Sequence, residues 1–335
     1  MLRVTPEAET ALKHIWKLIH TLSICIPTYN RAEFLDENLS LIVAKVRPYN
    51  LPICISDNGS TDATRDIVRK HSLLYEHIYY SRNEVNRGID YNIAAVLKMS
   101  QTDYAWLFSD DDRFFDTAID RVLALLEQYL PDMVVVNAVT NIELMRPRIS
   151  SKEDRVYDDM SQLLENLCFH MTWLSSLIWS RKLIEQAPFG KYDGSALDFI
   201  HAIFFALASG KRRVIWCSEP CIYIAKGSTV SWKGRVLEIY AKNAVEIIMG
   251  LPDSYPETIK KKCLKVMGTS TDAFSLHGFF LLKKGGAFTR ESYQAYKQYL
   301  PLVTNIPPFF CYLIAVLPQA LFTKISAFKR WLCHE

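Results

Sequence analysis

The sequence predicts an α/β fold: a mainly parallel central sheet flanked by helices, followed by a helical C-terminal extension. Three observations carry the prediction. Short apolar runs alternate with helix-period segments from residue 22 to about residue 138. The runs lack a polar face, as strands covered on both sides do. Polar and acidic residues gather in the connections after the runs, where ligands bind in such sheets.

Taken in order, residues 5–19 place Leu12, Ile15, Trp16 and Ile19 at helical spacing after Thr5, with Glu7 and Glu9 in the opening turns. A short amphipathic helix over residues 1–20 is expected, packed on the domain or lying on lipid. No signal-peptide pattern is visible. Residues 22–26 then read as a strand, 34–46 as a helix, 51–56 as a strand and 62–71 as a helix. The alternation continues with a strand at 77–80, a helix at 88–98, a strand at 104–108, a helix at 114–128 and a strand at 133–136. The charge-rich stretch 141–161, containing Pro147, reads as a variable surface loop. A buried strand at 174–179, a short helix at 181–186 and an apolar helix at 196–209 follow. Helical patterns dominate from about residue 236.

Charge narrows the function. Lys plus Arg number 39 against 36 Asp plus Glu, a formal charge of +3 in 335 residues, far from the basic surface that nucleic acid requires. The eight cysteines are dispersed and mostly lie in apolar runs, which suits buried thiols in a reducing cytosol. Cys217 and Cys221 lack a second pair or histidines at zinc-site spacing. Neither a G-x-G-x-x-G after the first strand nor a G-x-x-x-x-G-K-[ST] is present, which counts against dinucleotide enzymes and P-loop NTPases.

The chemistry-bearing residues sit at strand exits. Asp57, ahead of Asn58 and Gly59, suits a tight turn with Ser60 or Asp62 starting a helix; the same carboxylate could accept a base N–H. Asp110, Asp111 and Asp112 directly follow an apolar strand. Three adjacent carboxylates repel one another, and a helix cap needs one. A divalent cation, Mg²⁺ or Mn²⁺, would relieve the conflict and bridge to substrate phosphates.

In this order, Ile24 through Arg31 (ICIPTYNR), Ile55 through Asp62 (ISDNGSTD), Asn83-x-x-Asn86-x-Gly88 and Ser109 through Asp112 resemble glycosyltransferase family 2 on a GT-A fold. The likeness covers about residues 20–225. The triple aspartate and the length resemble an abequosyltransferase-like subgroup of bacterial surface-polysaccharide assembly. The resemblance implies a nucleotide-sugar-binding half over 21–138 and an acceptor-binding half over 139–235 of one domain, with a helical region over 236–335. It implies a donor set of Pro27, Thr28, Tyr29, Arg31, Asp57, Asn83, Asn86, Gly88, Asp110 and Asp111, with the metal on Asp110 and Asp112. It also implies a general base at a helix N-terminus in the acceptor half. Asp198 is the positional match, although Ala196 and Leu197 stand where an acidic neighbour is usual, and Asp193 is the second candidate. His201 could orient that acid or touch the acceptor. Trp232, in a polar segment, could stack on a sugar or pack under a loop.

Residues 298–323 contain no Asp, Glu, Lys, Arg or His, and Lys324, Lys329 and Arg330 follow. Prolines interrupt this stretch, so a bent interfacial insertion at the cytoplasmic face of the membrane is expected over a single span. Packing of the tail on the protein itself or in a homo-oligomer interface is the alternative. The leading function is an inverting transferase moving a monosaccharide from a nucleotide diphosphate sugar to a lipid-linked oligosaccharide or other glycan acceptor. A sugar-phosphate nucleotidyltransferase and a non-catalytic glycan-binding assembly protein are the rivals.

Overall fold

The computed structural model describes residues 21–224, 233–270 and 273–322. The chain divides into two compact units, one comprising residues up to Met160 together with His170–Ser228, the other Ser161–Phe169 together with the chain from Thr229. The expected N-terminal helix and Trp232 lie outside the described residues.

The first unit is built on one ten-stranded sheet. Strands β1 (Leu22–Thr28), β2 (Ile53–Asp57), β3 (Ile78–Arg82) and β4 (Tyr104–Leu107) lie in the order β3-β2-β1-β4, and every pairing among them is parallel. β1 and β2 are buried along their whole length, which explains why neither alternates apolar with polar residues. The connecting helices are α1 (Ala32–Val46), α2 (Thr64–Ser72) and α3 (Ile89–Met99). On α1, Leu35, Leu39, Ile42, Val43 and Val46 form the buried stripe of an amphipathic helix.

Beyond β4 the sheet becomes mixed. After β5 (Asp112–Phe114) and helix α4 (Ala118–Tyr129) come β6 (Met133–Asn141), β7 (Arg146–Pro147), β8 (Arg155–Tyr157), β9 (Leu177–Ser180) and β10 (Val214–Ile224). β9 lies antiparallel between β4 and β6, while β6 and β10 run parallel. β5 pairs antiparallel with β10 at the far edge. An apolar run such as 177–180 announces a buried strand but not its direction, which the connections decide. The expected helix from residue 114 begins four residues later, and the expected loop 141–161 contains β7 and β8.

Two aromatic anchors shape the acidic run. Phe108 closes β4's apolar stretch and Phe114 ends β5; their rings stack at 4.0 Å, and Trp106 meets Phe114 edge-on at 4.8 Å. All three are buried. Burying rings of this size stabilises by about 1.5–3 kcal/mol each. Residues 109–113 therefore connect two fixed points, with Asp110, Asp112 and Arg113 buried between them.

The second unit is helical, with α8 (Ala244–Met249), α9 (Glu257–Ser270), α10 (Leu276–Lys284), α11 (Arg290–Tyr296), α12 (Leu300–Val303) and α13 (Pro308–Val316); in the first unit α6 (Arg181–Gln186) and α7 (Asp198–Leu207) precede β10, and α5 (Met160–Met171) runs through both units in sequence. A Cβ on Gly268 would sit 1.8 Å from the carbonyl oxygen of Val303, so α9 and α12 approach closely only because position 268 has no side chain. On α13, Cys311, Ile314 and Ala315 are buried, whereas Phe309, Tyr312, Leu313 and Val316 are exposed along the opposite stripe. The helix is thus apolar on both sides. Among the described residues no helix is long and apolar enough to cross a membrane.

Candidate active site

Because β3, β2, β1 and β4 run parallel and adjacent, their carboxyl ends open on one edge, and the loops that follow them converge there. Side chains cross-link them. Thr28 Oγ1 donates to Asp110 Oδ2 at 2.8 Å. Arg31 reaches Asp110 Oδ1 through Nε at 2.7 Å and Asp111 Oδ2 through Nη2 at 2.6 Å, its guanidinium 4.4 Å from the Phe34 ring centre. Tyr29 projects into solvent beside them, while Pro27 is buried within β1.

Asp57 is fully buried, and both oxygens are engaged: Oδ1 accepts from the Ser60 amide at 2.7 Å and Oδ2 from the Tyr80 hydroxyl at 2.6 Å. Its turn role is therefore realised, while the helix that follows begins only at Thr64. Asn58, quoted in the sequence only as part of that turn, is the hub of the next loop. Its Nδ2 donates to Asn86 Oδ1 and to the Gly88 carbonyl; its Oδ1 accepts from Asn83 Nδ2 and from the Arg87 amide. Asn83, Asn86 and Gly88 thus form a clamped loop. Asn92 ties the β1 and β2 ends by donating to the Thr28 and Ser56 carbonyls. A buried amide is indistinguishable from a surface one in sequence, so neither hub was legible.

Gly59 makes the clamp possible. Its φ is +80°, and a Cβ there would lie 2.8 Å from the carbonyl carbon of Val85. Gly59→Ala is expected to destabilise the protein by about 1–3 kcal/mol and to weaken donor binding, read by thermal unfolding and by nucleotide titration.

The three carboxylates of the acidic run part company. Asp112 belongs to β5 and points inward: its Oδ2 accepts from Trp173 Nε1 at 2.6 Å and from Ser175 Oγ at 2.5 Å. Burial pushes its pKa up to about 7, against the pull of those two donors. The position belongs to β5 rather than to a helix cap, and the carboxylate faces Trp173 and Ser175. Burial likewise pushes Asp110 up to about 6, with Arg31 opposing and Asp111 reinforcing the rise. Asp111 is the most exposed of the three, though its Oδ1 accepts from Ser109 Oγ.

Among the described residues no group of three or more His, Cys, Asp and Glu side chains forms a metal cage. Mg²⁺ and Mn²⁺ need none when phosphates and water complete the shell around one or two carboxylates. Asp110 and Asp111 are hard-oxygen donors already gathered around one cation, Arg31. They fit such an ion, which would compete with Arg31 for them.

The acceptor-side candidates also separate. Asp198 opens α7 but is buried, its Oδ2 accepting from the Gly190 amide at 2.6 Å and its Oδ1 from the Tyr192 amide at 2.7 Å. Asp193 follows Tyr192 directly in sequence and is exposed. His201 is fully buried, flanked by the rings of Tyr192 and Phe205, and its nitrogens have no hydrogen-bond partner among the described residues. Burial lowers its pKa. It sits in the core beside these rings, away from the surface.

Comparison with known proteins decides the family. The profile described as Glycosyl transferase family 2 matches residues 23–184. Abequosyltransferase RfbV of Salmonella typhimurium is 42% identical over 241 residues, covering 65% of this chain and 71% of that protein. The chain belongs to glycosyl transferase family 2. The family's fold is matched as well: S. aureus TarS 1–349 in complex with UDP-GlcNAc superposes with a TM-score of 0.58 at 18% identity, over 84% of this chain and 84% of that one. Mannosyltransferase PcManGT from Pyrobaculum calidifontis, in complex with GDP-Man and Mn²⁺, does so with a TM-score of 0.51 at 16% identity, over 87% and 86%. The family profile spans β1 through β9, so all four converging loops lie inside it.

Proposed function

We propose that this glycosyltransferase moves a monosaccharide from a nucleotide diphosphate sugar to a hydroxyl of a lipid-linked oligosaccharide or other glycan acceptor, with inversion, in bacterial surface-polysaccharide assembly. The observation that carries the reading is the convergence of Thr28, Arg31, Asp110 and Asp111 from two strand exits on one carboxylate–guanidinium cluster. The likeness to an abequosyltransferase supports the substrate class.

In this reading the nucleoside lies along the Pro27–Arg31 and Asp57–Ser60 turns, with Tyr29 against it and the clamped loop of Asn83, Asn86 and Gly88 as its wall. Asp57 works through the turn it holds. Mg²⁺ or Mn²⁺ on Asp110 and Asp111 would offset the charge that builds on the departing diphosphate. Arg31 lends its positive charge to the same end. Asp193 accepts the proton of the acceptor hydroxyl; the freed oxygen attacks the anomeric carbon, the bond to the diphosphate breaks, and nucleoside diphosphate leaves. A single displacement inverts the anomeric centre. Asp198 fixes the loop that carries Asp193.

To test this, the protein is incubated with a panel of nucleotide sugars and lipid-linked oligosaccharide, and products are read by anomer-resolved NMR. One donor should give an inverted glycoside with release of nucleoside diphosphate. Pyrophosphate from a sugar phosphate and a nucleoside triphosphate would favour a nucleotidyltransferase. Glycan binding without turnover would favour an assembly protein.

We also place the chain at the cytoplasmic face of the membrane, held peripherally. The support is the exposed stripe Phe309, Tyr312, Leu313 and Val316 on a helix whose other side is already buried. Phe309→Ser with Leu313→Ser should reduce flotation with anionic liposomes and leave donor binding unchanged; undiminished flotation would remove this face from the contact.

A further inference from the structure

Helix α7 starts without a cap of its own. Its N-cap residue is Leu197, which provides no side-chain acceptor, and the preceding Ala196 holds φ +64°, a left-handed conformation costly for any residue with a Cβ. A chain end so placed requires an acceptor for its free amides. That acceptor comes from far away in sequence. Asp90, in the first turn of α3, accepts from the Ala196 amide through Oδ2 at 2.8 Å and from the Asp198 amide through Oδ1 at 3.1 Å. It is 3% exposed.

We infer that Asp90 is a positioning residue for the loop that bears the proton acceptor, capping α7 from across the site and fixing the Gly190–Asp198 backbone. Two buried aspartates interlock to do this. Asp90 holds the amides at 196 and 198, and Asp198 in turn holds those at 190 and 192, so the exposed Asp193 is carried on a segment pinned on both sides. Asp90 also stands two residues after Gly88, whose carbonyl accepts from Asn58. One short stretch, residues 88–90, therefore joins the clamped donor-side loop to the acceptor-side loop.

The electrostatics are those of a residue retained for geometry. The charged groups that act on Asp90 are the carboxylates of Asp198 and Asp193, and burial followed by that repulsion pushes its pKa up to about 6 despite the two amide bonds. No neutral core would need an acid there. A carboxylate at this helix N-terminus gives each of the two amides an oxygen of its own and, when ionised, adds a charge that favours the helix dipole.

The inference rests on the assignment of Asp193 as base, so both are tested together. Asp90→Asn keeps one acceptor oxygen and Asp90→Ala keeps none. Losing one charge-assisted bond and then both should lower single-turnover rates by about 10-fold and about 100-fold respectively, with donor affinity unchanged. Hydrogen exchange should accelerate in residues 190–198 and not in β1 or β2. If Asp90→Ala does not fold, the Asn variant alone carries the comparison. Unaltered exchange in the Asn variant overturns the proposal, and so does a loss of donor binding equal to the loss of rate, which a general stabilising role would produce. Accelerated exchange with normal turnover overturns it too when Asp193→Asn is inactive. Should Asp193→Asn turn over normally while Asp90→Asn is slow, the base assignment fails and the positioning role stands.

Discussion

Replacing Asp111 by Asn is expected to lower turnover by about 10³-fold and to abolish the part of donor affinity that depends on Mg²⁺ or Mn²⁺. Offsetting charge on a departing diphosphate contributes several kcal/mol, and each 1.36 kcal/mol lost is about tenfold in rate. Asp111 is the member of the acidic run best placed for this. It is the most exposed, and its Oδ2 is held by Arg31, a cation that a metal ion could replace. Asp112 provides the contrast. Its carboxylate serves Trp173 and Ser175, so Asp112→Asn should cost about 1–3 kcal/mol of stability by leaving a buried donor unpaired. Donor titrations with and without metal, alongside thermal unfolding of both variants, distinguish them. Metal-dependent binding lost in Asp112→Asn and kept in Asp111→Asn would return the ligand role to position 112.

Asp193→Asn is expected to slow the chemical step by about 10²–10⁴-fold with donor binding intact, the scale of a positioned proton transfer. The assignment follows from access. A base must present a lone pair to the acceptor hydroxyl, and Asp193 is exposed whereas both oxygens of Asp198 accept from loop amides. Asp198→Asn should accordingly loosen residues 190–198, visible as faster hydrogen exchange. Single-turnover transfer in the two variants decides. A near-normal rate for Asp193→Asn with a full loss for Asp198→Asn, its loop still protected, would reverse the assignment.

The sheet was legible where strands are wholly apolar and connected by helices, because burial on both faces leaves a composition signal that no loop imitates. The strands at 22–28, 53–57, 104–107 and 133–141 all announced themselves in this way. What burial cannot encode is direction, hence the unforeseen antiparallel β9, or a strand as short as Asp112–Phe114 that starts on an acid. That small strand had the largest consequence. It turned Asp112 toward Trp173 and Ser175 and left Asp111 the most exposed of the three. The ordered motifs pointed to loops that meet at one edge of the sheet, while the partners that hold those loops, Asn58, Asn92 and Asp90, carry no signal in a single sequence. Their importance comes from being buried and multiply bonded, and both properties exist only after folding. His201 shows the reverse case: a residue type suited to chemistry, placed by helical spacing into the core between Tyr192 and Phe205.

The central claim, that Asp110 and Asp111 receive the diphosphate of a sugar nucleotide with a divalent cation, is tested most directly by anomalous diffraction from crystals grown with a nucleotide diphosphate sugar and Mn²⁺. The account predicts a manganese signal against the Asp110 and Asp111 carboxylates and the diphosphate, with Arg31 drawn away from at least one of them. Diphosphate bound elsewhere, or bound beside an Arg31 still joined to both carboxylates with no manganese signal, would contradict it.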